Sequence, residues 1–273
     1  MQDRLLTPLL VVVLLVGAAS CKLAGRAFSP QDEGGIYLII AVKAEGAQLD
    51  QAVAQTMAVM QKRCDALNVY CKAERVGNDK PDQIKLRISN PQDPERVKGV
   101  VLSQGLELRA VVSPPSPAPF QTYPTEAEAA EAAGADKDVL PYLADIDGPA
   151  GSAGPKKFVV VERAPIVDGR DIRGAEAVPS ASGGKDNYEV TFTLNPEGAD
   201  RFGHWTGANI NNYVAVVLNK QVRSVAFIKS QIFDSGQISG RFTKERAEDA
   251  ALVLRSGGLP APIEALEEGI YKP

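Results

Sequence analysis

Few side chains in this chain could do chemistry. His204 is its single histidine. Any Ser-His-Asp or Cys-His site would have to use it, because no other side chain type titrates unperturbed near neutrality. It stands beside Trp205 after a short helix opened by Asn195-Pro-Glu197, where the plain reading is a partly exposed helix-end residue. Asp168-Gly-Arg-Asp171 offers two carboxylates but lacks the ligand spacing and closing Glu of a cation loop, so it reads as a turn. Glu267-Glu268 makes no demonstrable acid–base pair. No glycine-rich phosphate loop occurs, and one histidine with three cysteines leaves little for a zinc site. No catalytic, cofactor-binding or metal residue is assigned, and a protein without an enzymatic step is expected.

The three cysteines carry the remaining covalent chemistry. Met1-Gln-Asp-Arg4 precedes an apolar run, Leu5 to Ser20, which ends at Cys21. The run is about 15 apolar residues, roughly 22 Å as a helix, against roughly 30 Å of bilayer core. That length suits a signal peptide, and Ala18-Ala-Ser-Cys21 resembles a lipobox that would make Cys21 a lipidation site. An uncleaved membrane anchor and ordinary secretion are the alternatives. All three put the body outside the cytoplasm, in the periplasm or an equivalent space, anchored at the cell membrane or outer membrane in the first two cases. In an oxidising compartment Cys64 and Cys71 can pair as a disulfide, and two buried free thiols are the other reading.

Composition sets wider bounds. The apolar fraction of 44% and charged fraction of 23% are those of an ordinary globular protein. A net charge of −4 gives no electrostatic case for nucleic acid. Aromatic content of 6% argues against a stacking platform for sugars or single strands.

The elements that must position any site follow from periodicity. Residues 22–34 read as a polar tether. Gly35–Lys43 is a buried strand, and Val53, Met57, Met60, Cys64 and Leu67 form a helical stripe whose methionines belong to the core. Strands over 69–76 and 83–88, a helix capped by Asp93-Pro-Glu95, and a strand over 106–112 complete a βαββαβ order. That order predicts an α+β fold with a ferredoxin-like four-stranded base over residues 35–112. The Pro/Ala/Gly-rich interval 113–156 reads as a junction with a short exposed Ala/Glu helix from Glu126 to Ala133. A second α+β subdomain spans 157–262, and residues 263–271 form a last strand. Near its end, Thr243 caps a helix with a narrow stripe of Ala247, Ala250, Ala251 and Leu254. Gly257 and Gly258 end that helix, and Pro260 and Pro262 stiffen the exit, which makes the four a candidate hinge. Phe202, Trp205, Phe227, Ile228, Ile232 and Phe233 are candidates for a polypeptide-binding groove, although core packing is the default for most of them. Phe233, beside Asp234-Ser-Gly, is the one expected to be exposed.

Five segments resemble the first periplasmic domain of the SecD family, accessory subunits of the bacterial Sec export machinery. They are Arg63-Cys-Asp-Ala-Leu-Asn-Val69, Asp82–Ile88 with Asp93-Pro-Glu-Arg96, Asn195–Phe202 with Thr206–Ile210, Val214–Ser224, and Gly240–Thr243 with Leu254-Arg-Ser-Gly-Gly-Leu-Pro-Ala-Pro262. The last two are the most specific. The resemblance implies a base near the membrane, made of residues 35–112 and the returning strand 263–271, and a mobile head that engages emerging preprotein. It implies unfolded or translocating polypeptide and Sec translocase membrane subunits as partners. Family members continue into membrane helices that carry the proton-coupling residues, whereas this sequence stops at Lys272-Pro273, so this chain alone is expected not to couple to proton flow. The expectation is therefore a membrane-tethered, non-catalytic module of protein export. The alternative is a structural envelope lipoprotein that keeps the fold and binds a partner through its base.

Overall fold

A computed structural model describes residues 33–142, 156–181 and 187–273. Cys21, the signal-like run and nearly all of the tether lie outside the described residues. Among the described residues, no helix is long and apolar enough to cross a membrane.

The fold is α+β, as expected, and the described residues build three sheets. The first contains β1 (Gly35–Val42), β2 (Cys71–Gly77) and β3 (Lys80–Ser89), with α1 (Leu49–Ala66) and α2 (Pro94–Val101) on one face. Alternation explains the arrangement: Leu38, Ile40, Leu86 and Ile88 point to the helices and are buried with Met60, Val97 and Val101. α2 begins where Asp93 accepts a hydrogen bond from Arg96 N, with proline at the first helical position. Cys64 at the end of α1 is disulfide-bonded to Cys71 at the start of β2.

The chain then continues through β4 (Leu106–Ala110), α3 (Glu126–Ala133), β5 (Lys137–Tyr142), β6 (Lys157–Glu162), β7 (Val167–Asp168), β8 (Ile172–Pro179) and β9 (Tyr188–Leu194). After these come α4 (Pro196–Ala208), β10 (Tyr213–Leu218), β11 (Gln221–Phe227), β12 (Ser235–Phe242), α5 (Lys244–Ser256) and β13 (Ile263–Tyr271). The second sheet has the order β6-β5-β11-β10-β4-β7 and the third β12-β9-β8. A shared core joins them: Leu106, Leu108, Val214 and Val216 from one, Val190, Phe192 and Ile238 from the other, and Phe202, Ala247, Ala251 and Leu254 from α4 and α5. β10 is buried on both faces, since Ala215 and Val217 lie in a separate cluster with Val159, Val161 and Val222.

Two expectations are corrected. The strand expected to complete the base, Leu106–Val112, forms but pairs with β10 and β7 in the second sheet. β13 takes its place, antiparallel to β1, so the first sheet runs β13-β1-β3-β2. The base thus keeps the four-stranded ferredoxin-like layout with its last strand supplied from the end of the chain. The crossing is local: Gly105 has φ +104, and Ser103 and Gln104 are held by the turn residue Asn219 of the β10–β11 hairpin. The interval 113–156 is also more than a spacer. It carries β5, which pairs with β6 and meets β11 in parallel at Val222, and α3 packs Ala129 and Ala133 on Phe158 and Val160.

The helix expected to show a narrow stripe, α5, is covered on two sides. Ala247, Ala251 and Leu254 face the head core, while Leu252 and Val253 are buried in a small cluster with Val100 of α2. α5 packs on β8 and β9 and also touches α1 and α2. It is therefore an element through which head and base meet.

Candidate functional site

The joint between base and head is built around Arg63. This residue lies in the last turn of α1 and is 0% exposed. Helical spacing puts it beside Met60 and Cys64 on the core face, so a charge is buried where the stripe is otherwise apolar. Its nitrogens are satisfied by five acceptors. Nε donates to Ser256 Oγ at 2.8 Å, and Nη1 lies 3.3, 3.0 and 2.6 Å from the carbonyls of Val100, Val101 and Ser103. Nη2 donates to Gly257 O at 2.8 Å. Burial pushes the guanidinium down to about 10, which leaves it charged at neutral pH.

A second clasp sits nearer the surface. Arg96 of α2 makes a bidentate pair with Asp249 of α5, with both N–O distances 2.8 Å, and reaches Glu245 at 2.7 Å. The hydrogen bonds that Arg96 donates to the Asp249 carboxylate raise its guanidinium above its ordinary range. Glu245 is largely exposed, so its pair contributes little, ~0–1 kcal/mol. Burial of Val100, Leu252 and Val253 between the helices weighs more, at roughly 1.5–3 kcal/mol for each fully buried side chain. Beside the clasp is a cleft of about 470 Å³, with Arg96, Arg223, Arg246 and Asp249 around an apolar floor that includes Leu218 and Val253.

The exit from α5 is packed backbone to backbone. Gly257 has φ +87 and ends the helix. A Cβ on Gly105 would stand 2.8 Å from Gly258 Cα, and one on Gly169 would stand 2.7 Å from the same atom. Leu259 N donates to Gln104 O at 3.2 Å, and Lys43 N donates to Pro262 O at 2.8 Å. Gly257, Gly258, Pro260 and Pro262 thus lie at the joint, gripped by both parts of the molecule.

The candidate polypeptide-binding residues do not come together as one groove. Phe202 is 2% exposed in the head core, with Ile228 fully buried in the same cluster. Trp205 and Ile232 are partly buried against that core. Phe227 is half-buried, with its ring 5.7 Å from Tyr213. Phe233 alone of the set is exposed, at 66%, and Ile210 after α4 is exposed at 46%. The physical reason is that α4 and the segment 228–232 lock onto each other: Thr206 Oγ1 accepts from Ile232 N at 2.9 Å, and Gln231 donates to Gly203 O at 3.1 Å. His204 is largely exposed and makes polar contacts within its own helix, with Nδ1 2.9 Å from Asp200 O and 3.3 Å from its carboxylate. Asp168 and Asp171 form an ion-paired turn with Arg170 and Arg201. Burial opposes ionisation of Asp168, yet the bonds from Arg170 hold its carboxyl below the usual range. Among the described residues, no group of three potential metal ligands exists.

Residues 146–261 match the family model described as SecDF, P1 head subdomain. Over 227 residues the chain is 37% identical to the protein translocase subunit SecD of Koribacter versatilis, covering 82% of this chain and 40% of that protein. This chain is a SecD homologue over that region. The Aquifex aeolicus SecD is 33% identical over 229 residues, with the same coverage of each chain. The chain spans about 40% of the length of these curated relatives. Among solved structures it is similar to one described as a membrane component SecDF that enhances protein export. The TM-score is 0.57 at 25% identity, covering 85% of this chain and 98% of that one. SecDF in its super-membrane-facing form shares the fold, with a TM-score of 0.60 at 24% identity, covering 88% of this chain and 30% of that one.

Four of the five segments that resemble SecD in sequence meet at the joint. Arg63 comes from the first, Arg96 from the second, Asn219 from the β10–β11 hairpin, and Ser256 to Pro262 from the last. Arg63 and Arg96 both lie within the SecD-like motifs, which assign neither a role. A signal was present for Arg63: it is a charge in line with Met60, Cys64 and Leu67 on a core-facing stripe. Nothing in the sequence pairs Arg96 with Asp249, 153 residues away.

Proposed function

We propose that this chain is an extracytoplasmic SecD-like module that assists protein translocation by binding unfolded or emerging polypeptide, without a chemical step. The observation that carries the reading is its similarity to SecD across 82% of its length. Head, joint and base then divide the work. The head offers Phe233 and Ile210 as apolar contacts, exposed large side chains that water alone does not favour. The joint couples the head to the base through α5. The base anchors the module at the membrane next to Sec translocase subunits. A photo-crosslinker placed at Phe233 or Ile210 should capture a stalled export intermediate, and one at Asn78 on the exposed β2–β3 turn of the base should not. Equal yields at all three positions would count against polypeptide binding by the head.

A further inference from the structure

We infer that Arg63 is the positioning residue that sets how the head sits on the base, acting as one shared cap for helix ends that belong to both. Three helices end around it: α1 at Ala66, α2 at Val101 and α5 at Ser256. Each helix C-terminus carries roughly half a negative charge on carbonyls without helical partners. Brought together without a cation, those ends repel and their carbonyls are desolvated. Arg63 answers both problems with one fork. Three of its acceptors, the carbonyls of Val100, Val101 and Ser103, lie at the end of α2 in the base. The other two, Ser256 Oγ and Gly257 O, lie at the end of α5 in the head. None of the five is a carboxylate, so the compensation for a buried charge is made of these helix ends.

The arrangement has a direction. Arg63 is held from the base side, because its neighbour Cys64 is bonded to Cys71 and fixes the last turn of α1. On the head side the grip is slimmer. Ser256 Oγ accepts from Arg63 while donating to Val253 O at 2.8 Å, which ties the guanidinium to the last turn of α5. Gly257, at φ +87, turns its carbonyl to Nη2. Gly258 then lies against Gly105 and Gly169. Loss of the guanidinium's head-side bonds therefore loosens the stretch 256–259 against the connection 102–105, leaving the Leu259 N to Gln104 O bond and the Gly258–Gly105 packing between them. A surface neighbour, Lys62, makes only one comparable bond, to Arg255 O at 3.0 Å, and is no substitute. The inference concerns the joint itself and does not depend on polypeptide binding.

Hydrogen exchange on the full chain tests it, comparing wild type with Arg63→Met, Arg63→Lys and Ser256→Ala. In Arg63→Met, the amides of Ser103, Gly105, Gly257 and Leu259, each hydrogen-bonded in the joint, should exchange at least about tenfold faster. Amides of β1, β3, β8 and β9 should keep their protection. Arg63→Lys keeps the charge but not the fork and should give a smaller change in the same segments. Ser256→Ala removes one acceptor and should do likewise. Equal acceleration in the joint and in the β1–β3 core would make Arg63 an ordinary stabilising residue and overturn the assignment. Unchanged joint amides would also overturn it. If Arg63→Met does not fold, Arg63→Lys and Ser256→Ala decide by the same pattern.

Discussion

Replacing Gly169 with alanine should loosen the joint by a predictable amount. The new Cβ would stand 2.7 Å from Gly258 Cα and closer still to Gly258 N, with Gly257 C at 3.2 Å. These are backbone atoms, so no flexible side chain can swing away. Restoring an ordinary contact of about 3.5–4 Å requires the 257–258 backbone to move by about 1 Å. That movement strains the bonds from Arg63 to Gly257 O and from Leu259 N to Gln104 O. Overpacking of this kind costs about 1–3 kcal/mol. At about 2–4 °C per kcal/mol for a chain of this size, Tm should fall by about 2–12 °C in thermal unfolding followed by circular dichroism. Gly99→Ala is the matched control. Gly99 lies inside α2, where an added Cβ meets nothing within 4 Å. It should stabilise by about 0.5–1 kcal/mol through helix propensity. Refutation would be a Gly169→Ala protein whose Tm is within about 1 °C of wild type, or one that rises with Gly99→Ala.

Other perturbations separate the parts of the account. Phe202→Ala should cost about 3–5 kcal/mol in urea unfolding, because the ring is buried in the head core, whereas Phe233→Ala should change stability by less than about 0.5 kcal/mol. Replacing Cys64 and Cys71 together by alanine opens a loop with a sequence separation of 7 and should cost about 2–3 kcal/mol, a difference that disappears when wild type is measured fully reduced. Asp138 is opposed by burial but is held below its ordinary 3.8 by hydrogen bonds from Arg109 and Arg163. A depressed carboxylate pKa stabilises fully above the unfolded value and loses that stabilisation as pH falls through the folded one. Denaturant midpoints should thus drop below pH 3.8 in wild type, and Asp138→Asn should flatten that part of the profile.

Much of the fold was legible because its local signals are strong. Asp93-Pro94, Asn195-Pro196 and Thr243 cap the helices they were expected to cap. The Glu126–Ala133 helix and the closing strand were also readable from pattern alone. The partner of β4 was not legible. Leu106 and Leu108 alternate with Glu107 and Arg109, which shows that one face is buried but not in which sheet. The choice rests on Gly105, Ser103 and Asn219, contacts made across more than 100 residues of sequence. β5 was hidden because Pro141 and the neighbouring proline-rich stretch masked a strand that pairs through Val139 and Leu140. Aromatic content could not separate Phe202 from Phe233, although the Asp234-Ser-Gly turn beside Phe233 pointed to its exposure. The joint was least legible, since a buried arginine satisfied by main-chain carbonyls leaves no complementary carboxylate to find.

The proposed role in export is tested most directly by pulse-chase of a secretory precursor in cells of the source organism. Removal of this chain should slow conversion of the labelled precursor to its mature form, and re-expression of the full chain should restore the rate. Conversion at the wild-type rate in its absence would contradict the account and favour a structural role in the envelope.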